Sequence, residues 1–581
     1  MDRKMEENML RWLEEESDQD DLIVSEEEED LREEENIIHS PHGTDTEQED
    51  DENDEISGQN NSDSDDSVPL ADFATYKSRN ETEWRKHPFP ATRVRSHNII
   101  QKPLGPKGTA CNASTLLQCF ELFLDPDVFE SLVNCTNIYI NTIKTKYQRE
   151  RDAKPTNLTE MRAFVGLLIV IGANRSGRQN LRDFWDNSNG TGFELVYLTM
   201  SINRFRFLLR SLRFDDIRDR PQRQEIDKLA AIRCFIEGMK NRCLEYYTPS
   251  EHMTLDEQLV AFRGRCGFIM YLPNKPAKFG IKIFMVVDTK CPYIYNFEVY
   301  CGEQPEGPFR VSNKVADVTK RLLEPLINMG CNVTMDNWFT SYPVALQLLE
   351  ERITVVGTLK SNKPEIPTSF KTSQGRQINS SLFGFQKECT LVSYVPKRNK
   401  TVLLLSTMHH DEAIDATTGD AKKPEIITFY NHTKCGVDIV DRMCRQYDVS
   451  RNSRRWPLTL FFNFLNIAAI NGLVIHQLNN SNENIIRRIF LQTLGFELVK
   501  PLILERIYQD NVPGSIKTRA KLLLNISEAP QQGNIVIRGG VARCAFCSRI
   551  RDRSTRKTCS KCYRRICTDH QILICPSCNE N

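Results

Sequence analysis

The segment from Met253 to Leu359 constrains the fold more than any other part of this 581-residue chain. Five apolar runs read as strands, at Met253–Phe262, Ile281–Asp288, Ile294–Tyr300, Cys331–Asp336 and Ile353–Leu359. A helix fits between the third and the fourth, at Lys314–Met329. Acids take definite places in this order. Asp256 lies within the first run (TLDEQLVAFRGR) and Asp336 ends the fourth (NVTMDNW). A later helical stretch, GVDIVDRM, carries Asp438 and Asp441.

Three strands, a helix and a strand ending in an acid form the opening of a ribonuclease-H-like fold. Its first acid lies on the first strand, its second at the end of the fourth, and a third comes from a later helix. Asp256, Asp336 and Asp438, spaced by 80 and 102 residues, are expected in those places. Asp438 and Asp441 are three apart and share a helix face. Hard oxygen ligands of this kind select Mg²⁺ or Mn²⁺. Two such ions about 4 Å apart would activate an attacking oxygen and stabilise a leaving one. The chemistry is then phosphodiester hydrolysis by water, or strand transfer by a DNA 3′-hydroxyl. Glu257 follows Asp256 on a strand, so it is expected on the other face and outside the metal shell. Arg263 and Arg265 are expected to face phosphate, because pairing with Asp256 would compete with the metal. The bland alternative makes each acid a turn or cap residue.

The net charge of −2 conceals an asymmetry. Residues 1–70 hold 28 acidic and 4 basic residues, which leaves 50 acids against 72 bases and a net +22 in the rest. A basic body with an acidic tail suits a polyanion-binding protein carrying a competitor for its own surface. Residues 1–105 read as a disordered acidic tail. Ser17, Ser25, Thr44, Thr46 and Ser62 each precede an acid by three, so a kinase acting on the tail is an expected partner. Nothing at the N-terminus reads as a signal peptide. Trp456–Ile475 has the length of a membrane span, but Asn463, Asn466 and Asn471 interrupt it. It reads as a buried core helix, and no membrane partner is expected.

Residues 106–251 read as helical. Ser114 is expected to cap STLLQCFELFL, Pro126 to sit in the first turn of the next helix, Thr159 to cap EMRAFVGLLIVIG, and Ser201 to cap INRFRFLLRSLRF. In the last of these, Arg204, Arg206, Arg210 and Arg213 alternate with apolar residues, a pattern able to lie along phosphates or merely to face solvent. Lys228–Tyr247 reads as a further helix. The catalytic domain is expected over 252–362, a β-rich insertion over 363–424, the second catalytic part over 425–447, a helical part over 448–525 and a basic linker over 526–540. The class is thus multidomain, mixing α+β and α/β parts.

Seven of the nineteen cysteines fall in 541–581. The ligands run Cys544-x2-Cys547, Cys559-x2-Cys562, Cys567-x2-His570 and Cys575-x2-Cys578. Eight ligands in four pairs suit two tetrahedral Zn²⁺ sites, which supply the folding energy that so small a module lacks. The favoured pairing is an interleaved cross-brace, Cys544, Cys547, Cys567 and His570 on one ion and Cys559, Cys562, Cys575 and Cys578 on the other. Sequential pairing is the competitor. Arg549, Arg551 and Arg553 belong to a basic cluster suited to DNA contact, nuclear import or both. RING-type ligases and PHD-type histone readers also use cross-braces.

TLDEQLVAFRGRC, YLPNKPAKFGIKIF, TMDNWFTS, VGTLKSNKPEIP, GVDIVDRM and RRWPLTLFFNFLNIAAIN, in this order, resemble the piggyBac family of DNA transposases. The resemblance covers residue 105 to the C-terminus; the acidic tail matches in character only. It implies catalytic aspartates at Asp256, Asp336 and Asp438, with a fourth essential acid at Asp441. It implies cut-and-paste transposition at TTAA sites of double-stranded DNA, through a freed 3′-hydroxyl, a hairpin and joining to target. It further implies a homodimer, nuclear localisation, and a dimerisation and DNA-binding domain built from 106–251 and 448–525. Trp456 matches a tryptophan near the active site, Lys360 and Lys363 a basic pair at target DNA, and Lys275 lies in a family motif expected at DNA. The zinc domain would recognise transposon ends. The competing expectations are a domesticated DNA-binding protein that no longer cuts, and a chromatin reader working through the zinc module.

Overall fold

The computed structural model describes residues 38–39, 48–49, 74–90, 103–176, 179–187, 192–273, 275–483, 485–526, 541–548, 550–551, 553–559 and 564–571. They divide into two compact units, Met1–Val512 and Pro513–Asn581. The helix Gly514–Leu523 thus falls with the C-terminal unit, not with the helical part expected to run to 525.

Among the described residues, the first unit is organised on a mixed sheet of thirteen strands. His252–Ala261 pairs antiparallel with Phe279–Asp288 on one side and parallel with Asn332–Met335 on the other. Phe279–Asp288 pairs antiparallel with Ile294–Val299, and Asn332–Met335 lies parallel to Thr354–Thr358. The spatial order is therefore third, second, first, fourth, fifth. The expected helix between the third and fourth strands is Val315–Leu323. Buried on both faces, Phe279–Asp288 is apolar nearly throughout, as a central strand must be.

The insertion does not form a sheet of its own. Lys400–Ser406 pairs antiparallel with Thr354–Thr358, and Thr390–Lys397 and Ser381–Phe385 follow in turn. After it, Glu425–Thr433 and Gly436–Gln446 are consecutive helices.

The far edge of the sheet corrects the reading of 1–105 as disordered. Thr75–Lys77 and Glu83–Arg85 form a hairpin that joins Ser381–Phe385 through Phe385 and Arg85. Trp84 is 1% exposed. Its Nε1 donates to the Glu365 carbonyl at 2.9 Å, and its ring stands edge-on to Tyr342 at 5.7 Å. Three-residue strands are too short to display alternation, so only pairing with a distant edge defines them. Two-residue strands at Ile38–His39 and Gln48–Glu49 pair with Met270–Tyr271 and Lys400–Thr401.

Among the helices, Leu158–Ala173 packs closely on Arg487–Tyr508. Gly495 faces Gly166 there, and a Cβ on Gly495 would come within 2.5 Å of Val170. Ser201 caps its helix as expected, and Pro126 sits in the first turn behind the Asp125 cap. Two other caps differ. Thr115, with Gln118 completing a capping box, replaces Ser114, and Asn157 replaces Thr159. Two of the four arginines of INRFRFLLRSLRF, Arg204 and Arg213, are spent inside the protein, whereas Arg210 is exposed. Arg204 binds Glu160 at 2.6 Å and the Lys154 and Pro155 carbonyls. Buried Arg213 donates to the carbonyls of Arg210 and Leu212.

Trp456–Asn479 is long and apolar enough to cross a membrane, yet its most apolar window is 94% buried within the protein. Its asparagines explain themselves. Asn471 pairs both the N–H and the C=O of Ile294 at 2.9 Å, and Asn466 donates to Asp448 at 3.0 Å. Asn463 donates to Gln258 at 2.8 Å. Buried polar groups on an apolar helix must be satisfied in this way.

Candidate active site

The first and fourth strands run parallel in a register that places Leu255 beside Met335, so the next residue on each is an acid. Asp336 lies just past its strand. Its Oδ1 accepts the N–H groups of Trp338 at 3.0 Å and Phe339 at 3.3 Å, a turn that fixes the carboxylate. Asp256 Oδ1 accepts the N–H of Glu257 at 2.7 Å. The helix Gly436–Gln446 supplies Asp438 and Asp441. Its start rests directly on the first strand, because a Cβ on Gly436 would lie 2.7 Å from Thr254 Oγ1. Thr254 donates to the Thr433 carbonyl at 2.5 Å, and Thr334 shares a hydrogen bond with the Thr433 hydroxyl at 2.7 Å. Both strands are thereby tied to the end of Glu425–Thr433, the helix just ahead of the one that carries the remaining acids.

Asp256, Asp336, Asp438 and Asp441 line one cavity of about 330 Å³, together with Lys275, Tyr430, Lys434 and Arg445. The field in it is strongly negative. Burial first, and then the Asp256 charge, pushes the Asp336 carboxyl up to about 7. Burial, reinforced by Asp438, raises Asp256 against the pull of Lys275. Burial raises Asp441 too, partly offset by Arg445. Lys275 responds in the opposite sense. Burial draws it down, but Asp256, Glu257, Asp438 and Asp441 outweigh that and hold it above the usual lysine value.

Glu257 is not part of that lining, yet its carboxylate lies close to two that are. One carboxylate oxygen from each of Asp256, Glu257 and Asp336 lies within 4.8 Å of the others. Strict alternation would have separated the first two. Instead Asp256 bends back onto the Glu257 amide, bringing its carboxylate toward its neighbour. Glu257 also lies 3.8 Å from Lys275, and burial followed by the charges of Asp256 and Asp336 drives its carboxyl well above the usual range. Lys282, 2% exposed, offsets part of that charge and is itself lowered by burial to about 8.

These residues fit a divalent cation. Asp336 Oδ2 is buried, and no hydrogen bond reaches it among the described residues. An orphaned carboxylate oxygen beside two raised carboxyls is a set of hard donors lacking a compensating charge.

Asp441 is held from two sides, by Gln258 Nε2 at 3.2 Å and Arg445 Nη2 at 3.2 Å. Arg445 sits four residues beyond Asp441, a spacing readable in the sequence. The role of Gln258 depends on tertiary packing and was not readable. The other expected contacts lie off the cavity lining. Lys360 is close enough for its charge to lower Asp336, and Lys363 shares its turn. Arg263 and Arg265 are exposed on the loop after the first strand, with Arg263 over the Phe279 ring at 5.3 Å. Trp456 stands edge-on to Phe268 at 5.1 Å.

In the C-terminal unit, Cys544, Cys547, Cys567 and His570 converge, each offering an atom within 4.8 Å of the rest. Cys547 and Cys567 sulfurs are 3.7 Å apart, and His570 Nδ1 lies 3.6, 3.7 and 3.2 Å from Cys544, Cys547 and Cys567. A tetrahedron with Zn–S of about 2.3 Å and Zn–N of about 2.0 Å has edges of roughly 3.8 and 3.5 Å. Burial raises the Cys544 thiol, but hydrogen bonds from the Phe546 and Cys567 amides outweigh it and bring it to about 6, toward the thiolate a metal requires. These four are the first set of the interleaved pairing. Of the second expected set, Cys559 is described, while Cys562, Cys575 and Cys578 lie outside the described residues, as does Arg549. Arg551 is exposed, and Arg553 pairs with Asp569.

A profile of the family described as Transposase IS4 matches residues 116–473. The cryo-EM structure of a piggyBac transposase synaptic complex with hairpin DNA is similar at 34% identity and a TM-score of 0.69, over 82% of this chain and 100% of that one. Two human proteins also match. PiggyBac transposable element-derived protein 3 is 22% identical over 60% of this chain, and protein 5 of the same name is 23% identical over 36%. The chain spans 59% and 40% of their lengths. With a profile match over more than half its length and a solved relative that it covers completely, the chain belongs to the Transposase IS4 family, in its piggyBac-type branch.

Proposed function

We propose that this chain is a DNA transposase that cuts and rejoins double-stranded DNA at the acidic cavity, in cut-and-paste transposition at TTAA sites. The observation that carries the reading is the convergence of Asp256, Asp336, Asp438 and Asp441, from two strands and a helix, on one cavity. The third-second-first-fourth-fifth strand order supports assigning the sheet to the ribonuclease-H-like class.

Asp256, Asp336 and Asp438 would hold Mg²⁺ or Mn²⁺, two ions in the full complement, with Glu257 as a further candidate ligand. Bound there, the ions would polarise the scissile phosphate and lower the cost of forming the attacking oxygen. Lys275, Lys434 and Arg445 on the rim bring positive charge to a phosphate approaching four acids. The fixed turn at Asp336 and the stitched Thr254–Thr433–Thr334 cluster hold the acids in place before DNA arrives. Water as nucleophile frees a 3′-hydroxyl at the transposon end. That hydroxyl then attacks the opposite strand to close a hairpin, and after reopening it joins target DNA. Lys360, Lys363, Arg263, Arg265 and Trp456 are assigned to the DNA path outside the cavity.

In the C-terminal unit, Cys544, Cys547, Cys567 and His570 would hold a structural Zn²⁺. A second ion on Cys559, Cys562, Cys575 and Cys578 completes the cross-brace, which reads the transposon ends. Homodimeric assembly, nuclear localisation and a kinase acting on the acidic tail belong to the same reading.

The test is an excision assay on a plasmid carrying paired terminal repeats, with Mg²⁺ present. Excision that restores an intact TTAA junction supports the reading. An uncut donor that is still bound at its ends favours a DNA-binding protein without cleavage, and binding of histone peptides in preference to end DNA favours a chromatin reader.

A further inference from the structure

We infer that Gln258 and Asn463 are positioning residues that act through Asp441, a role that deepens the proposed function and rests on it. Gln258 is two residues beyond Asp256 on the same strand, so both project from one face. It is 2% exposed, and its Nε2 donates to Asp441 Oδ1 at 3.2 Å. Its Oε1 accepts from Nδ2 of Asn463, 5% exposed on the apolar helix Trp456–Asn479, at 2.8 Å. The relay thus crosses three elements, from helix to strand to helix, and ends on an acid of the cavity.

An amide is ambivalent. Turned one way, Gln258 offers Asp441 an N–H; turned the other, it offers an oxygen that repels a carboxylate. The Asp441 carboxylate, which only accepts, calls for the N–H, and Asn463 meets the oxygen that this leaves on the other side of Gln258. Arg445 holds the second oxygen of Asp441 at 3.2 Å, so the carboxylate is clamped in one rotamer. The position matters because the cleft does not end there. A second hollow of about 140 Å³ continues past Asp441 between Leu259 and Phe462, sharing Lys275, Asp441 and Arg445 with the first. Asp441 lines both hollows and so stands where they meet.

The relay makes a prediction that a merely structural role does not. Asn463→Leu removes the donor while keeping the branched shape, and Gln258→Met removes the amide. Each is expected to slow single-turnover cleavage of a pre-bound transposon end by about tenfold or more while leaving end affinity within about twofold. The double variant is expected to be no slower than the slower single variant, since Asn463 acts only through Gln258. Multiplicative losses, or an Asn463→Leu enzyme that cuts at the wild-type rate, would overturn the inference.

The same cycle read by urea unfolding in EDTA is independent of cutting. The midpoint shifts of the two single variants should not add, and the Gln258→Met shift should shrink when Asp441 is already Asn. If the wild type cuts nothing, the proposed function fails while the unfolding cycle still decides. Additive shifts would then overturn the relay, and non-additive ones would support it.

Discussion

Asp336→Asn separates the cost of the acidic cavity from its use. The substitution keeps the volume and leaves an oxygen to accept the amides of Trp338 and Phe339. It replaces the orphaned Oδ2 with an N–H₂ beside the Asp256 carboxylate. In the metal-free protein, the Asp336 carboxyl stands at about 7 against an ordinary 3.8. The difference corresponds to roughly 4 kcal/mol of native-state penalty at high pH, an upper bound because Asp256 and Glu257 share the strain. An acid whose folded value is raised destabilises the fold as pH climbs from the unfolded value through the folded one. The Asn variant should therefore be more stable than wild type at pH 8 in EDTA, by about 1–3 kcal/mol. The advantage should shrink as pH falls from about 7 and be gone near 4. Urea unfolding at the two pH values, followed by tryptophan fluorescence, reads it directly. Added Mg²⁺ should stabilise the wild type and leave the variant unmoved, and DNA cleavage should be lost. A variant no more stable than wild type at pH 8 would refute the claim that uncompensated acids are stored at this site.

Three further outcomes are expected. Replacing Cys567 by Ser, or chelating zinc, should unfold the C-terminal unit and abolish binding to end DNA while the melting of the first unit is unchanged; X-ray absorption should report sulfur and nitrogen neighbours before treatment and none after. Trp84→Ala should cost about 3 kcal/mol in urea unfolding and expose residues 74–90 to limited proteolysis, since one fully buried indole carries most of the hairpin's packing. His409, lowered by burial to about 4 with its Nδ1 on Ser406 Oγ at 2.8 Å, should make the protein lose stability as pH falls from 6.5 through 4, by at most roughly 3 kcal/mol; His409→Gln should flatten that acid limb in pH-dependent melting curves.

Much of the catalytic sheet is legible because its strands bury both faces and write long apolar runs, as in Ile281–Val287. The acids at strand ends are equally visible, since they interrupt apolar patterns where a core residue would otherwise stand. What escaped depends on distant partners. Trp84 sits among charged neighbours, and nothing local says that Glu365 and Tyr342 will cover it. Arg204 and Arg213 look like a phosphate-facing stripe until Glu160 and the helix-end carbonyls claim them. Glu257 follows from a side chain folding back, which alternation cannot foresee. Asn463 was visible as an interruption in an apolar helix; that it reaches Gln258 required the fold.

The hairpin around Trp84 also sets a schedule for synthesis. Its indole bonds to a carbonyl 281 residues later in the chain. At about 5–20 residues per second, that partner emerges roughly 14–56 seconds after the tryptophan does. For that interval the nascent chain carries an unpaired strand edge and a bare indole, next to a run of acids that keeps neighbouring chains apart by charge. Fusions that trim or neutralise residues 1–70 would then lower the yield of soluble protein during translation, even where the finished fold tolerates them.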